Sequence, residues 1–206
     1  MSLMPKSRKI KKDFLIGLLI AFIIILGSFN YHLYSTGFHG SLIKRYLDNP
    51  NYLEIDKNVT RYITGLEAKL NTDFDENEKS HMADVRKLVL FEEFVFIALL
   101  IWFFILAYKR KINLNQFKKA ALIVFLIALL SLISSLFFNR FFELFHLIVF
   151  PQGNWQFSSN SLMIQVYQQP FFQEFFVRVI MVTFIFSSLL VLLIKSIEKK
   201  LIIYSK

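Results

Sequence analysis

The side chains in this sequence best suited to moving a proton near neutral pH are its four histidines: His32, His39, His81 and His146. Covalent catalysis by a thiol is excluded, because the chain has no cysteine. It also lacks a G-x-S-x-G elbow, an H-E-x-x-H zinc helix, a P-loop, a G-x-G-x-x-G turn and the H-x4-D spacing of glycerolipid acyltransferases. His81 stands three residues before Asp84, so on a helix a carboxylate comes within reach of the imidazole, where it would fix the tautomer and favour a protonated ring. Asp84 is therefore expected to orient His81. His146 lies in NRFFELFHLIVFPQGNWQF, a run of aromatics closed by the turn residues Pro151, Gln152, Gly153 and Asn154. A pocket for a lipid-like ligand wants this mixture of apolar walls and a few polar groups. The plainer account of the same residues is an aromatic belt at the headgroup level and an interfacial histidine with a surface salt bridge. His32 and His39, near Gly37 and Tyr34, are expected to be loop residues, since nothing in the sequence frames them.

The elements that would position these groups are membrane spans. Hydrophobic residues make up 55% of the chain, charged residues only 19%, and the mean hydropathy is +0.50. About 20 mainly apolar residues cross a bilayer core. Four blocks meet that length and composition, at about 14–29, 88–108, 120–138 and 171–194. The first has a basic flank like a signal peptide but no small-x-small cleavage site after it, so it is taken as a retained anchor. Asp75 with Glu78 is a capping-box pattern, from which a helix should run through His81 into the second block. Only Glu92 and Glu93 place charge inside a span, near its outer end. The segments 30–87 and 139–170 should form a small cap built with the bundle as a single membrane domain, 1–206, with no disulfide to hold it.

Charge supplies the orientation. Fourteen of the 24 Lys and Arg residues fall in the N-terminal tail, the loop between the second and third blocks, and the C-terminal tail: Lys6, Arg8, Lys9, Lys11, Lys12, Lys109, Arg110, Lys111, Lys118, Lys119, Lys195, Lys199, Lys200 and Lys206. Only Asp13 and Glu198 oppose them there. Both termini are expected in the cytoplasm, with the histidines outside. A net charge of +9 is thus a topology signal, and no nucleic-acid partner is expected.

His81-Met82-Ala83-Asp84-Val85-Arg86 before the second block, and Phe145-His146 through Pro151-Gln152-Gly153-Asn154-Trp155-Gln156-Phe157 after the third, resemble the lipoprotein intramolecular transacylases of Gram-positive bacteria. Ser161-Leu162-Met163 and Tyr167-Gln168-Gln169-Pro170 also look like that family's approach to its last span. The resemblance implies an all-α integral membrane fold, a four-transmembrane-helix bundle with a small extracellular cap. It implies transfer of the sn-2 acyl chain of a diacylglyceryl lipoprotein to the α-amino group of its N-terminal cysteine, in the plasma membrane of a bacterial cell. His81 and His146 take the positions of the catalytic histidines. Arg140, Gln152, Asn154, Trp155 and Phe157 are candidate substrate-binding residues. The chemistry suits the chain, because the nucleophile is the substrate's own amine: one imidazole can accept its proton and another can stabilise the oxyanion. No cofactor is expected, and His81, His146 and Asp84 make no recognised zinc motif. The alternative function is a non-catalytic assembly factor or sensor whose cap binds a partner.

Overall fold

The computed structural model describes residues 6–46 and 49–204; Lys206, counted above among the basic residues of the C-terminal tail, lies outside them. All regular structure among the described residues is helical. Four helices are long and apolar enough to cross a membrane: α1 (Lys6–Leu33), α4 (Glu76–Tyr108), α5 (Leu114–Ser135) and α8 (Gln169–Tyr204). Among the described residues there are four shorter ones: α2 (Thr36–Tyr46), α3 (Asn51–Ile63), α6 (Phe138–Val149) and α7 (Leu162–Val166). The chain is therefore a multi-pass, all-α membrane protein.

It divides into two compact units. One holds the described parts of 1–28, 96–132 and 179–206; the other holds 29–95 and 133–178. In the first unit α1 lies directly on α5. A Cβ at Gly17 would come 2.8 Å from the Cβ of Lys119 and 3.1 Å from the Gln116 carbonyl, so only glycine permits this approach. Small residues set such contacts between spans, where lipid is as apolar as leucine. Asn113 caps α5, accepting the N–H of Asn115 at 3.0 Å, while Gln116 Oε1 accepts the N–H of Asn113 at 3.0 Å. The buried Gln116 also donates to Asp13 at 3.0 Å, which accounts for a carboxylate at 6% exposure on α1. Ser187 of α8 donates to the Ala121 carbonyl at 2.9 Å.

The second unit carries the histidines. Its α2 and α3 are amphipathic and bury Leu42, Ile43, Val59 and Ile63 against Phe74, Met82, Met163 and Phe171. Full burial of each such side chain stabilises the fold by roughly 1.5–3 kcal/mol. After α3 the chain turns at Gly65, whose φ of +76° favours glycine and which packs close to Leu90 (3.1 Å from an ideal Cβ to its terminal methyl). Arg86 holds this turn on α4, donating to the carbonyls of Tyr62 and Glu67, both at 2.5 Å, with its guanidinium 4.6 Å above the Tyr62 ring. Glu92 and Glu93 are partnered: Asn30 donates to Glu92 at 2.9 Å, and the Tyr34 hydroxyl donates to Glu93.

The capping box at the start of α4 is present in full. The Asp75 N–H donates to Glu78 Oε2 at 2.8 Å, and the Glu78 N–H donates to Asp75 Oδ1 at 2.8 Å. The apolar run of 120–138 continues past the end of α5 at Ser135. A break at Leu136–Phe137 separates α5 from α6, because the positions that follow are no longer apolar all round. Asn139, Arg140 and Glu143 face out, while Phe138 and His146 are buried. The segment expected as part of a cap thus opens with a 12-residue helix.

Candidate active site

His81 sits in the second turn of α4, and His146 in the last turn of α6. Their rings lie 6.0 Å apart, inclined at 30°, and the two residues are only 5% and 9% exposed. Aromatic rings hold them there. Phe150 and Phe157 approach the His81 ring at 4.7 and 5.6 Å; Phe142 and Trp155 approach that of His146 at 4.1 and 5.0 Å. Both histidines line a cavity of about 460 Å³ contained within the second unit. Its wall is mostly aromatic and aliphatic, with Val85, Leu88 and Val89 of α4 on one side and Phe141, Phe142 and Phe145 of α6 among the rest.

The hydrogen bonds of the two rings differ. His146 Nδ1 lies 2.7 Å from the carbonyl of Phe142, one turn earlier on α6. A carbonyl only accepts, so Nδ1 carries the proton and Nε2 of the neutral ring keeps its lone pair. Burial pushes the His146 imidazole below the ordinary histidine range, and the bond to the Phe142 carbonyl opposes that only in part. Nδ1 of His81 is buried and has no partner. A buried polar nitrogen left open in a cavity wall suits a ligand that will occupy it.

Trp155 and Phe157 line the cavity, whereas Gln152 and Asn154 do not. Their side-chain amides instead donate to Asp84 Oδ2, at 2.8 and 2.9 Å. Asp84 Oδ1 accepts from Lys87 at 2.9 Å. The carboxylate expected to orient His81 is thus directed at the loop after α6. Arg140 is exposed and takes no part in the cavity wall. It stands six positions before His146, which on a helix of 3.6 residues per turn puts the two on different faces.

Two features were not anticipated. His32 is buried in the last turn of α1, and His39 belongs to α2 rather than a loop and is 7% exposed. Its Nδ1 lies 3.1 Å from Asp56 Oδ2 and its Nε2 lies 3.1 Å from the His32 carbonyl, while the Tyr167 hydroxyl donates to Asp56 Oδ1 at 3.1 Å. Burial first, and then the Asp56 charge, raises the Tyr167 pKa well above the ordinary range, so the hydroxyl stays protonated. All three residues reach the cavity wall. Nothing in the sequence connects them, since they come from α2, α3 and the end of α7. The second feature is Glu78 Oε1, which accepts the N–H of Met163 at 2.8 Å. A capping box engages one carboxylate oxygen and leaves the other for such a bond, which is the signal that could have been used. Among the described residues, no group of three or more His, Asp or Glu side chains is arranged to hold a metal ion.

The fold and the cavity define a class: a multi-pass membrane protein with a pair of histidines set in an apolar pocket of the kind that accepts a lipid-like molecule. The model of the lipoprotein intramolecular transacylase family, Lit, matches residues 10–172, and the chain belongs to that family. It is an enzyme of that activity. The chain also resembles the solved structure of the Lit transacylase of Bacillus cereus, with a TM-score of 0.80, 17% identity, and coverage of 95% of this chain and 98% of that one. A histidine-to-arginine variant of the same Bacillus cereus protein matches with a TM-score of 0.69 and 19% identity, over 96% of this chain and 97% of that one. No curated protein gives a significant match.

Proposed function

We propose that His146 is the general base and His81 the oxyanion donor of an intramolecular acyl transfer, carried out within the 460 Å³ cavity. The transfer takes the sn-2 acyl chain of a diacylglyceryl lipoprotein to the α-amino group of its N-terminal cysteine, and the product is the lyso form. The observation that carries the assignment is the 6.0 Å ring separation, together with the unequal hydrogen bonding of the two rings. Nε2 of His146 accepts a proton from the amine. The amine nitrogen attacks the ester carbonyl carbon, and the carbonyl oxygen gathers charge where Nδ1–H of His81 can donate to it. The intermediate collapses as the C–O bond to the glyceryl oxygen breaks, and His146 returns the proton to that oxygen. No water, metal or covalent enzyme intermediate enters this sequence. Amine and ester belong to one molecule, so the rate depends on folding them together. Confinement by Trp155, Phe157 and Phe142 is suited to that.

The distribution of Lys and Arg supports a bacterial plasma membrane topology with both termini cytoplasmic and the cavity on the extracellular side. The non-catalytic alternative has no comparable support, since the family is one of transacylases.

The reaction is an isomerisation, which makes its test specific. Purified protein incubated with a diacylglyceryl lipoprotein should leave the intact mass of the lipoprotein unchanged, while fragmentation moves one acyl group from the glyceryl moiety to the cysteine nitrogen. Loss of an acyl mass would indicate hydrolysis instead. An unchanged fragment pattern would sink the reading.

A further inference from the structure

Glu78 and Asp84 flank His81 on α4, three residues to either side, and so lie one helical turn below and above it. Each carboxylate reaches the same segment, 152–163, at opposite ends. Glu78 is 2% exposed; its Oε1 accepts the Met163 N–H at 2.8 Å and its Oε2 the Asp75 N–H at 2.8 Å. Asp84 accepts from Gln152 and Asn154 at 2.8 and 2.9 Å, and its side chain is 24% exposed. Between these attachments run Trp155, against the His146 ring, and Phe157, against that of His81. Gly153, with φ at +77° and nothing near a built Cβ, reverses the chain so that both amides meet one carboxylate.

We propose that Gln152–Met163 is a strap over the histidine pair, hinged at Glu78 and latched at Asp84, and that the latch releases to admit the lipid substrate. The proposal rests on the histidine-pair reading. The two attachments differ in how readily they break. Pulling Met163 from Glu78 would leave a buried carboxylate oxygen and a buried N–H unpaired, which is strongly unfavourable. The amide bonds to Asp84 are partly wet and exchange readily with water. Opening therefore starts at the Asp84 end, with Lys87 keeping the carboxylate company while the strap is away. Closure returns Trp155 and Phe157 to the two rings and excludes water from the amine and ester. Asp84 is thus a positioning residue that acts through the strap.

The absence of cysteine makes the test direct. In the double variant Asp84→Cys/Asn154→Cys, oxidation should stop acyl transfer and reduction should restore it. An oxidised enzyme, shown by mass to hold the disulfide, that turns over at the reduced rate would overturn the proposal. Amide hydrogen exchange reads the strap without any turnover. In Asp84→Ala, exchange at 153–160 should quicken on the order of 10-fold while the Met163 amide is unaffected. Unchanged exchange at 153–160 would overturn the latch, whatever the activity. The histidine-pair reading fails separately, if His81→Asn or His146→Asn retains transfer.

Discussion

Two histidine clusters line one cavity and are built on opposite plans. At His39 both ring nitrogens face acceptors, the Asp56 carboxylate and the His32 carbonyl, and Tyr167 donates to the remaining carboxylate oxygen. Neither ring nitrogen is left without a partner. At the other cluster, Nδ1 of His81 has no partner and His146 has one, the Phe142 carbonyl. A saturated buried network holds helices in place, because every group able to bind a substrate is already engaged. An unsaturated one keeps donor and acceptor capacity for something else. On the proposed mechanism, the difference separates architecture from chemistry among four histidines that look alike in the sequence.

The largest effect should come from the open cluster. His146→Asn and His81→Asn should each reduce acyl transfer by about 10²–10⁴-fold, the range for general acid–base groups. Melting temperature should stay near that of the parent, since each ring faces a cavity. Mass-spectrometric product yield per folded enzyme measures the first quantity, and a thermal scan in detergent the second. Burial holds the His146 imidazole below its ordinary range. A base must be unprotonated to act, so depression extends its working range downward. Transfer should therefore persist as pH falls through about 6.5, the usual histidine value. A profile that, once the titration of the substrate's α-amino group at about 8 is accounted for, already loses half its rate above that pH would assign the base elsewhere.

Trp155→Leu comes next and sharpens the comparison from the side of the walls. A residue of a surface belt tolerates exchange for another apolar side chain. Trp155 packs 5.0 Å from the His146 ring and lines the cavity, so the substitution should misplace substrate and base together. A displacement of about 1 Å can lower the rate by around 10²-fold. Parental turnover in Trp155→Leu would make the segment a belt.

The closed cluster should respond in stability rather than chemistry. Asp56→Asn leaves a buried donor facing the wrong group and should destabilise by about 1–3 kcal/mol. Tyr167→Phe removes a hydrogen bond that leaves only one carboxylate oxygen short, and should cost less. Transfer per folded molecule should hold in both variants. If either lost activity at parental stability, His39 and Asp56 would belong to the chemistry and the contrast would collapse.

Much of this was legible in the chain itself. Spans announce themselves because lipid demands long apolar runs, and the helix start at Asp75 and Glu78 follows from orphan N–H groups that must find acceptors. His81 and His146 stand out by their flanking residues. What stayed hidden depends on long-range contacts. The pairing of His39 with Asp56 is fixed by how α2 packs on α3, and neither residue carries a local mark of it. The hydrogen-bond partners of Asp84 stayed hidden for a related reason. Helical spacing brings a carboxylate near His81, but the amides of Gln152 and Asn154 arrive from a distant loop and take it. The break between α5 and α6 was masked because aromatics continue through it, and only the emergence of polar residues on one side of 138–149 marks the change.

The smallest effect is expected at Arg140. A cation near the site invites a role in holding a glyceryl ester or a peptide carbonyl, and the motif that contains His146 also contains Arg140. The helix geometry argues otherwise. Phe142 and His146 are one turn apart and share the face of α6 that meets the cavity, whereas Arg140 is exposed and absent from the wall. A substrate bound between the histidine rings would have to reach around α6 to touch it. Arg140→Ala should therefore behave as an ordinary surface change, within about 0.5 kcal/mol in stability and about 2-fold in transfer rate. Titrating the lipoprotein substrate against Arg140→Ala, and reading KM and kcat separately, measures this. A KM raised on the order of 10-fold with kcat intact would mean that substrate extends beyond the cavity onto the outer face of α6. The comparison between the two clusters would then need a third, recognition surface beside them.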